Sequence, residues 1–176
     1  MIESQNQYVK EPQSVSDLPG SCSKDTAKIM IIDDEPINCR VTRKYLSQAG
    51  YKHFITLTEP LEAIELIKRE QPDILLLDVM MPEISGLEVL RQLRERKATA
   101  HLPVLILTAD TDGRSQYRAL EFGVTDFLAK PVNPNELIPR VRNALVLKSH
   151  HDRMSGYTEE LERRVRERTS QLMVTQ

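Results

Sequence analysis

Short apolar runs recur along the chain, and each is followed by a stretch with apolar positions three and four residues apart. The clearest run is Ile74-Leu75-Leu76-Leu77, bounded by Pro72 and by Met81-Pro82. An unbroken apolar run of that length predicts a strand buried on both faces, as in the middle of a parallel sheet. Ile29-Met30-Ile31-Ile32, Phe54-Ile55-Thr56-Leu57, Val104-Leu105-Ile106-Leu107 and the shorter Asp126-Phe127-Leu128-Ala129 predict four more.

The intervening segments carry helical periodicity. Pro36 suits a first helical turn, and that helix runs to about Ala49, with Val41, Tyr45 and Leu46 on one face and Gly50 as its stop. Thr58 is placed to cap a second helix from Glu59-Pro60, with Leu61, Ala63, Ile64, Leu66 and Ile67 as its buried stripe. Gly86 opens a third, with Leu87, Leu90 and Leu93 inward. A fourth covers about Gly113 to Phe122 with a weaker apolar face, and a fifth begins near Asn133 or Pro134.

Five strands alternating with five helices predict an α/β fold, a doubly wound parallel sheet with both faces covered. About 120 residues fit the flavodoxin-like strand order 2-1-3-4-5. The polar stretch 1–26, with Pro12, Pro19 and Gly20, reads as a disordered leader, residues 27–148 as the globular unit, and 149–176 as a helical coiled-coil linker. In the last, Ala144, His151, Thr158, Val165 and Leu172 recur every seven residues. Leu147, Met154, Leu161 and Arg168 repeat at an offset of three, with Gly156 a kink or break. Such a tail serves a dimer or stands as a lone charged helix.

Composition narrows the classes. The chain has 176 residues, 40% hydrophobic and 28% charged, with formal net charge −2. There is no basic excess to suggest direct nucleic-acid binding. The apolar runs are too short to span a bilayer, and the start lacks the regions of a signal peptide. Cys22 and Cys39 have no metal-ligand spacing and read as free thiols of a cytoplasmic protein.

Candidate chemistry gathers at the strand ends. In an open parallel sheet ligands bind beyond the carboxyl ends, where the strand order reverses. Asp33-Asp34 follow the first strand and Asp78 ends the third. No glycine-rich phosphate cradle follows the first strand. Two carboxylates ~4 Å apart repel by about 4 kcal/mol at an effective dielectric near 20. The cluster therefore needs a partner, and an oxygen-only ligand set suits Mg²⁺. A pair of helix-capping residues accounts for Asp33 and Asp34 less well, with a third carboxylate beside them. Thr108 and Lys130 end the next two strands, placing a hydroxyl and an ammonium on the same rim. Together they form a site for a transferring phosphoryl group, with Asp78 as nucleophile. Lys130 reads alternatively as a simple salt bridge to Asp78.

These residues resemble the receiver domain of two-component response regulators over about residues 27–148. The resemblance rests on Asp33-Asp34, Leu77-Asp78-Val79-Met80-Met81-Pro82, Gly86, Thr108-Ala109 and Phe127-Leu128-Ala129-Lys130-Pro131. It implies that Asp78 takes phosphate from a histidine kinase or phosphotransfer protein. It implies Mg²⁺ on Asp34 and Asp78 side chains and the Met80 carbonyl, with Asp33 acting mainly through water. Thr108 and Lys130 would contact the phosphoryl oxygens, Ala109 would leave them room, and Phe127 would be the aromatic switch. The Lys130–Pro131 peptide would be cis. Phe127 reads equally as a core residue of the fifth strand.

The tail from Tyr157 to Thr169 looks like linkers that join receivers to output domains, notably cyclic-di-GMP phosphodiesterases of the HD-GYP type. The leading expectation is a signalling module, not an enzyme beyond its own phosphorylation and dephosphorylation. It would pair through the tail or through the face formed by the fourth helix, fifth strand and fifth helix. Two other classes compete. A phosphatase of the haloacid-dehalogenase type needs a second Asp two residues after the nucleophile, where Met80 stands. A binding module without phosphorylation would not need the full acidic set.

Overall fold

The computed structural model describes residues 23–109 and 113–174, with side chains to residue 170. The expected leader lies outside the described residues, apart from a turn at 24–26. Strand β1 (Lys28–Ile32) leads into α1 (Pro36–Gln48), then β2 (His53–Leu57), α2 (Ala63–Glu70) and β3 (Ile74–Asp78). There follow α3 (Gly86–Glu95), β4 (Val104–Thr108), α4 (Arg114–Glu121), β5 (Asp126–Ala129) and α5 (Pro134–Val174). All strand pairs are parallel and the order is β2-β1-β3-β4-β5, as the alternation of runs predicts.

Successive strand residues point to opposite faces, so each strand feeds two cores. Met30, Ile32, Leu75, Leu77, Val104 and Ile106 pack with α2, α3 and α4. Ile29, Ile31, Ile74, Leu76, Leu105 and Leu107 pack with α1 and α5. Every residue of β3 and β4 is buried. Burial on both faces is what lets these strands dispense with polar alternation.

Local details differ from the periodicity. The buried stripe of α1 is Cys39, Thr42 and Leu46, with Tyr45 half-buried, while Val41 is exposed. A small thiol and a hydroxyl hold positions that an apolar count skips. The second helix starts later than expected. Pro60–Glu62 form a 3₁₀ turn preceded by Glu59 rather than Thr58, and Leu61 is exposed on it. Ser85 caps α3, its side chain accepting from the Glu88 N–H at 3.3 Å.

The fifth helix does not break at Gly156 but runs 41 residues through it. One helical glycine costs about 1 kcal/mol, which flanking turns rich in i,i+3 and i,i+4 ion pairs offset in part. Pro139 lies inside the same helix, where it removes one ladder hydrogen bond.

Candidate phosphoryl-transfer site

Register puts the polar residues at one edge. Ile32 pairs with Leu77, so Asp33 lies level with Asp78. Asp78 pairs with Leu107, and Thr108 with Ala129, one residue before Lys130. Strand length alone thus delivers Asp33, Asp78, Thr108 and Lys130 to the same rim.

One carboxylate oxygen from each of Asp33, Asp34 and Asp78 lies within 4.8 Å of the others. Asp33 is fully buried, Asp78 is nearly so, and Asp34 is half-buried. The Lys130 ammonium bridges the two buried carboxylates, at 2.7 Å from Asp33 Oδ2 and 3.0 Å from Asp78 Oδ1. Asp33 Oδ1 also accepts from the Glu35 N–H at 3.0 Å and from Asn38 Nδ2 at 3.1 Å. These bonds fix Asp33 as the floor of the site. Asp78 Oδ1 accepts from the Met80 N–H at 3.4 Å, while the Met80 side chain points to solvent.

The electrostatics follow from burial. Desolvation raises the pKa of Asp78, the Asp33 charge adds to the rise, and Lys130 and the Met80 N–H oppose it. Burial works to lower that of Lys130, but its bonds to Asp33 and Asp78 outweigh this and hold it raised. Three carboxylates against one ammonium leave an excess of negative charge that a hard divalent cation matches. The donor set is all oxygen, with no His or Cys ligand in the cluster, so it fits Mg²⁺.

Two features shape the loop after β3. Gly86 N–H donates to the Val79 carbonyl at 3.0 Å, and a Cβ on Gly86 would lie 2.0 Å from the Asp78 carbonyl oxygen. Only glycine allows α3 to approach the Asp78 backbone so closely. Glu83 adopts φ +67°, a left-handed conformation that turns the loop.

Thr108 is buried at the end of β4, and its carbonyl accepts the Lys130 N–H at 2.8 Å. The Lys130–Pro131 peptide is cis. Phe127 is half-buried and packs against the α2–α3–α4 core. The structure thus brings together Asp33, Asp34, Asp78 and Lys130, sets Thr108 on the adjoining strand end, and keeps Phe127 one layer below. Asn38 escaped the sequence reading, as did the place of Cys39, which is the free thiol expected but lies buried beside Asp33. Asn38 lies in the first turn of α1, five residues after Asp33, where a side-chain amide can reach back. The Cys39 thiol donates to the Asp33 carbonyl at 3.6 Å. Burial, with the Asp33 charge beside it, pushes that thiol up to about 11.

The family description "Response regulator receiver domain" matches residues 29–142, and the chain belongs to that family. Phosphotransfer and the switching of an output are the general function of the family. The chain is 36% identical over 118 residues to the alkaline phosphatase synthesis transcriptional regulatory protein PhoP of Bacillus subtilis, covering 67% of this chain and 48% of that protein. It is 40% identical over 119 residues to the response regulator PleD of Caulobacter vibrioides, covering 67% of this chain and 26% of PleD. The chain therefore spans half or less of the length of these curated relatives. Among solved structures, a putative response regulator from Chloroflexus aurantiacus matches with TM-score 0.64 and 34% identity, over 68% of this chain and 97% of that one. The chemotaxis response regulator CheY4 of Vibrio cholerae matches with TM-score 0.62 and 27% identity, over 67% and 98%.

Among the described residues no helix is long and apolar enough to cross a membrane.

Proposed function

We propose that Asp78 is the phosphoryl acceptor of this receiver, and that a sensor histidine kinase or phosphotransfer protein is the donor. The observation that carries this is the Asp78 carboxylate held 3.0 Å from Lys130, inside a three-carboxylate cluster at the sheet edge. An Asp78 carboxylate oxygen attacks phosphorus, the bond from phosphorus to the donor nitrogen breaks, and the leaving imidazole regains a proton. Lys130 leaves its bond to Asp78 and follows the transferred oxygens. Thr108 supplies a hydroxyl to another of them. Mg²⁺, bound by the Asp34 and Asp78 side chains and the Met80 carbonyl, with Asp33 acting mainly through water, would neutralise charge on the transferring group.

The covalent chemistry of the chain is phosphorylation and dephosphorylation of Asp78. With Mg²⁺ and a small phosphodonor, the chain should gain one acid-stable, base-labile phosphate, and Asp78→Asn should gain none. Undiminished phosphate on the Asn variant by mass spectrometry would remove Asp78 from the mechanism.

The signal leaves through α5. Its tail pairs with a second copy of the chain and couples to an output, with no direct contact to nucleic acid or membrane. Phe127, packed beneath the rim, is the switch that senses Thr108, and it relays the change to the face formed by α4, β5 and α5. A cytoplasmic setting fits a kinase donor. Seven-residue spacing of Met154, Leu161, Thr158 and Val165 on an exposed helix supports the pairing.

A further inference from the structure

The buried face of α5 shares part of its register with the exposed tail beyond the receiver. Leu137, Val141, Ala144 and Leu145 are buried against the sheet. Of these, Leu137 and Ala144 fall on a seven-residue register that continues through His151, Thr158 and Val165, with Leu147, Met154 and Leu161 three residues after successive members. Beyond residue 150 the exposed large apolar side chains, among the described residues, are Met154, Tyr157, Leu161 and Val165. Three lie on that seam and Tyr157 flanks it. The ion pairs Glu160–Arg163, Glu160–Arg164 and Arg163–Glu167 run along other positions of the repeat. From Met154 to Val165 the seam carries no charge and is bordered by paired charges, with Arg168 the first charged seam position beyond it; such a stretch is self-complementary, so its occupant is the same seam of a second copy.

His151 has a competing use. Its ring stacks on His101, with centroids 3.9 Å apart and planes at 29°. His101 belongs to the segment joining α3 to β4, so the stack ties the helix to the receiver body. Beside the stack, Leu147 and His151 line a groove of about 240 Å³ with Arg94, Pro103, Gly123 and Thr125. Leu147 is exposed there, whereas Ala144, one seam position earlier, is fully buried. A paired tail can therefore advance toward the receiver as far as Leu147 and no further.

We propose that the His101–His151 stack is a clasp that ends the pairing seam at Met154, and that opening it gives Leu147 and His151 to a second copy. The paired seam then lengthens by one heptad. One ring cannot lie on His101 and inside an intermolecular seam at once, so the two states exclude each other. Any movement of the segment between α3 and β4 is thereby transmitted to the length of the paired tail. This rests on the tail-pairing reading above.

Oxidative disulfide cross-linking of the full chain tests it, with Cys22→Ser and Cys39→Ala as background. Leu161→Cys reports pairing itself and Leu147→Cys reports the added heptad. The expected result is cross-linking at 161 in every background and little at 147. Adding His101→Ala should raise the yield at 147 about fivefold, the range set by loss of one aromatic stack. His101→Phe, which keeps a ring, should stay near the parent. Cross-linking at 147 that is already strong in the parent, or unmoved by His101→Ala while 161 still links, overturns the clasp alone. Absence of cross-linking at 161 in all variants overturns tail pairing and the clasp with it.

Discussion

Asp78 is held between opposing demands: burial and the Asp33 charge favour its protonated form, and Lys130 favours the carboxylate. The net effect is a pKa raised above 3.8. Between 3.8 and that raised value the folded chain binds more protons than the unfolded chain, so stability falls with rising pH across the window. The stabilisation is fully present below 3.8 and is lost as pH rises through the folded value. An ionised Asp78 thus weakens the fold at neutral pH. In metal-free buffer at pH 7, Asp78→Asn should be more stable than the parent by about 1 kcal/mol, a typical size for one substitution. The difference should vanish in acid below the window, and excess Mg²⁺ should stabilise the parent but not the variant. Urea melts across pH provide the check; an Asn variant less stable at pH 7 would reverse the electrostatic assignment. Cys39 offers a second residue-scale test. Its rise from 9.0 to about 11 lowers the thiolate fraction about a hundredfold near pH 8. Alkylation of Cys39 should therefore be at least that much slower in the folded chain than in urea, as followed by peptide mass spectrometry.

At the scale of elements, the loop between β3 and α3 is the least tolerant part of the site. A methyl group at residue 86 would meet the Asp78 carbonyl oxygen at 2.0 Å, and that neighbour is backbone. Gly86→Ala should destabilise the chain by about 1–3 kcal/mol, the usual range for overpacking, and should slow phosphate uptake by displacing Asp78. Denaturant melts and uptake rates would show it, and a variant matching the parent in both would mean the loop can shift freely. The strands and their order were legible in the sequence because β3 and β4 are buried on both faces, and such runs leave an unbroken apolar signature. The rim residues were legible because parallel register converts strand ends into a shared edge. The face of α1 was not, since Cys39 and Thr42 are buried while Val41 is exposed. Nor was the start of α2, where the 3₁₀ turn displaced the cap from Thr58. Gly156 was misleading, because local propensity is a weak term in a helix anchored by the receiver at one end. The closeness of Gly86 to Asp78 is a tertiary contact with no local signal beyond the glycine itself.

At the scale of the whole molecule, the site and the tail are joined by one continuous path through α5. Lys130 and Pro131 lead within a few residues into α5, whose first turns are buried against β1, β3 and β4 by Leu137, Val141 and Ala144. The Asp126–Arg140 ion pair joins β5 to the same helix. A phosphoryl group on Asp78 adds negative charge and acceptor oxygens beside Lys130 and Thr108. Lys130, bonded to both Asp33 and Asp78, must redistribute its contacts. If Thr108 moves toward the new oxygens, Phe127, packed one layer below, gains room to follow. A modification shifts the tail only by its differential interaction with the two arrangements, so the coupling has a measurable size. Phosphorylation should change the tail dimer constant by about 5- to 150-fold, the span of ordinary allosteric couplings. Leu161→Glu should abolish dimerisation in both states, because it buries two like charges in the seam, and should leave phosphate uptake intact. Thr108→Ala should still accept phosphate on Asp78 but lose the change in dimer constant. Sedimentation with and without phosphodonor, combined with distances between labels near Ser170, measures each of these. Unchanged association and unchanged distances in a fully phosphorylated sample would sink the coupling and leave the receiver family assignment standing.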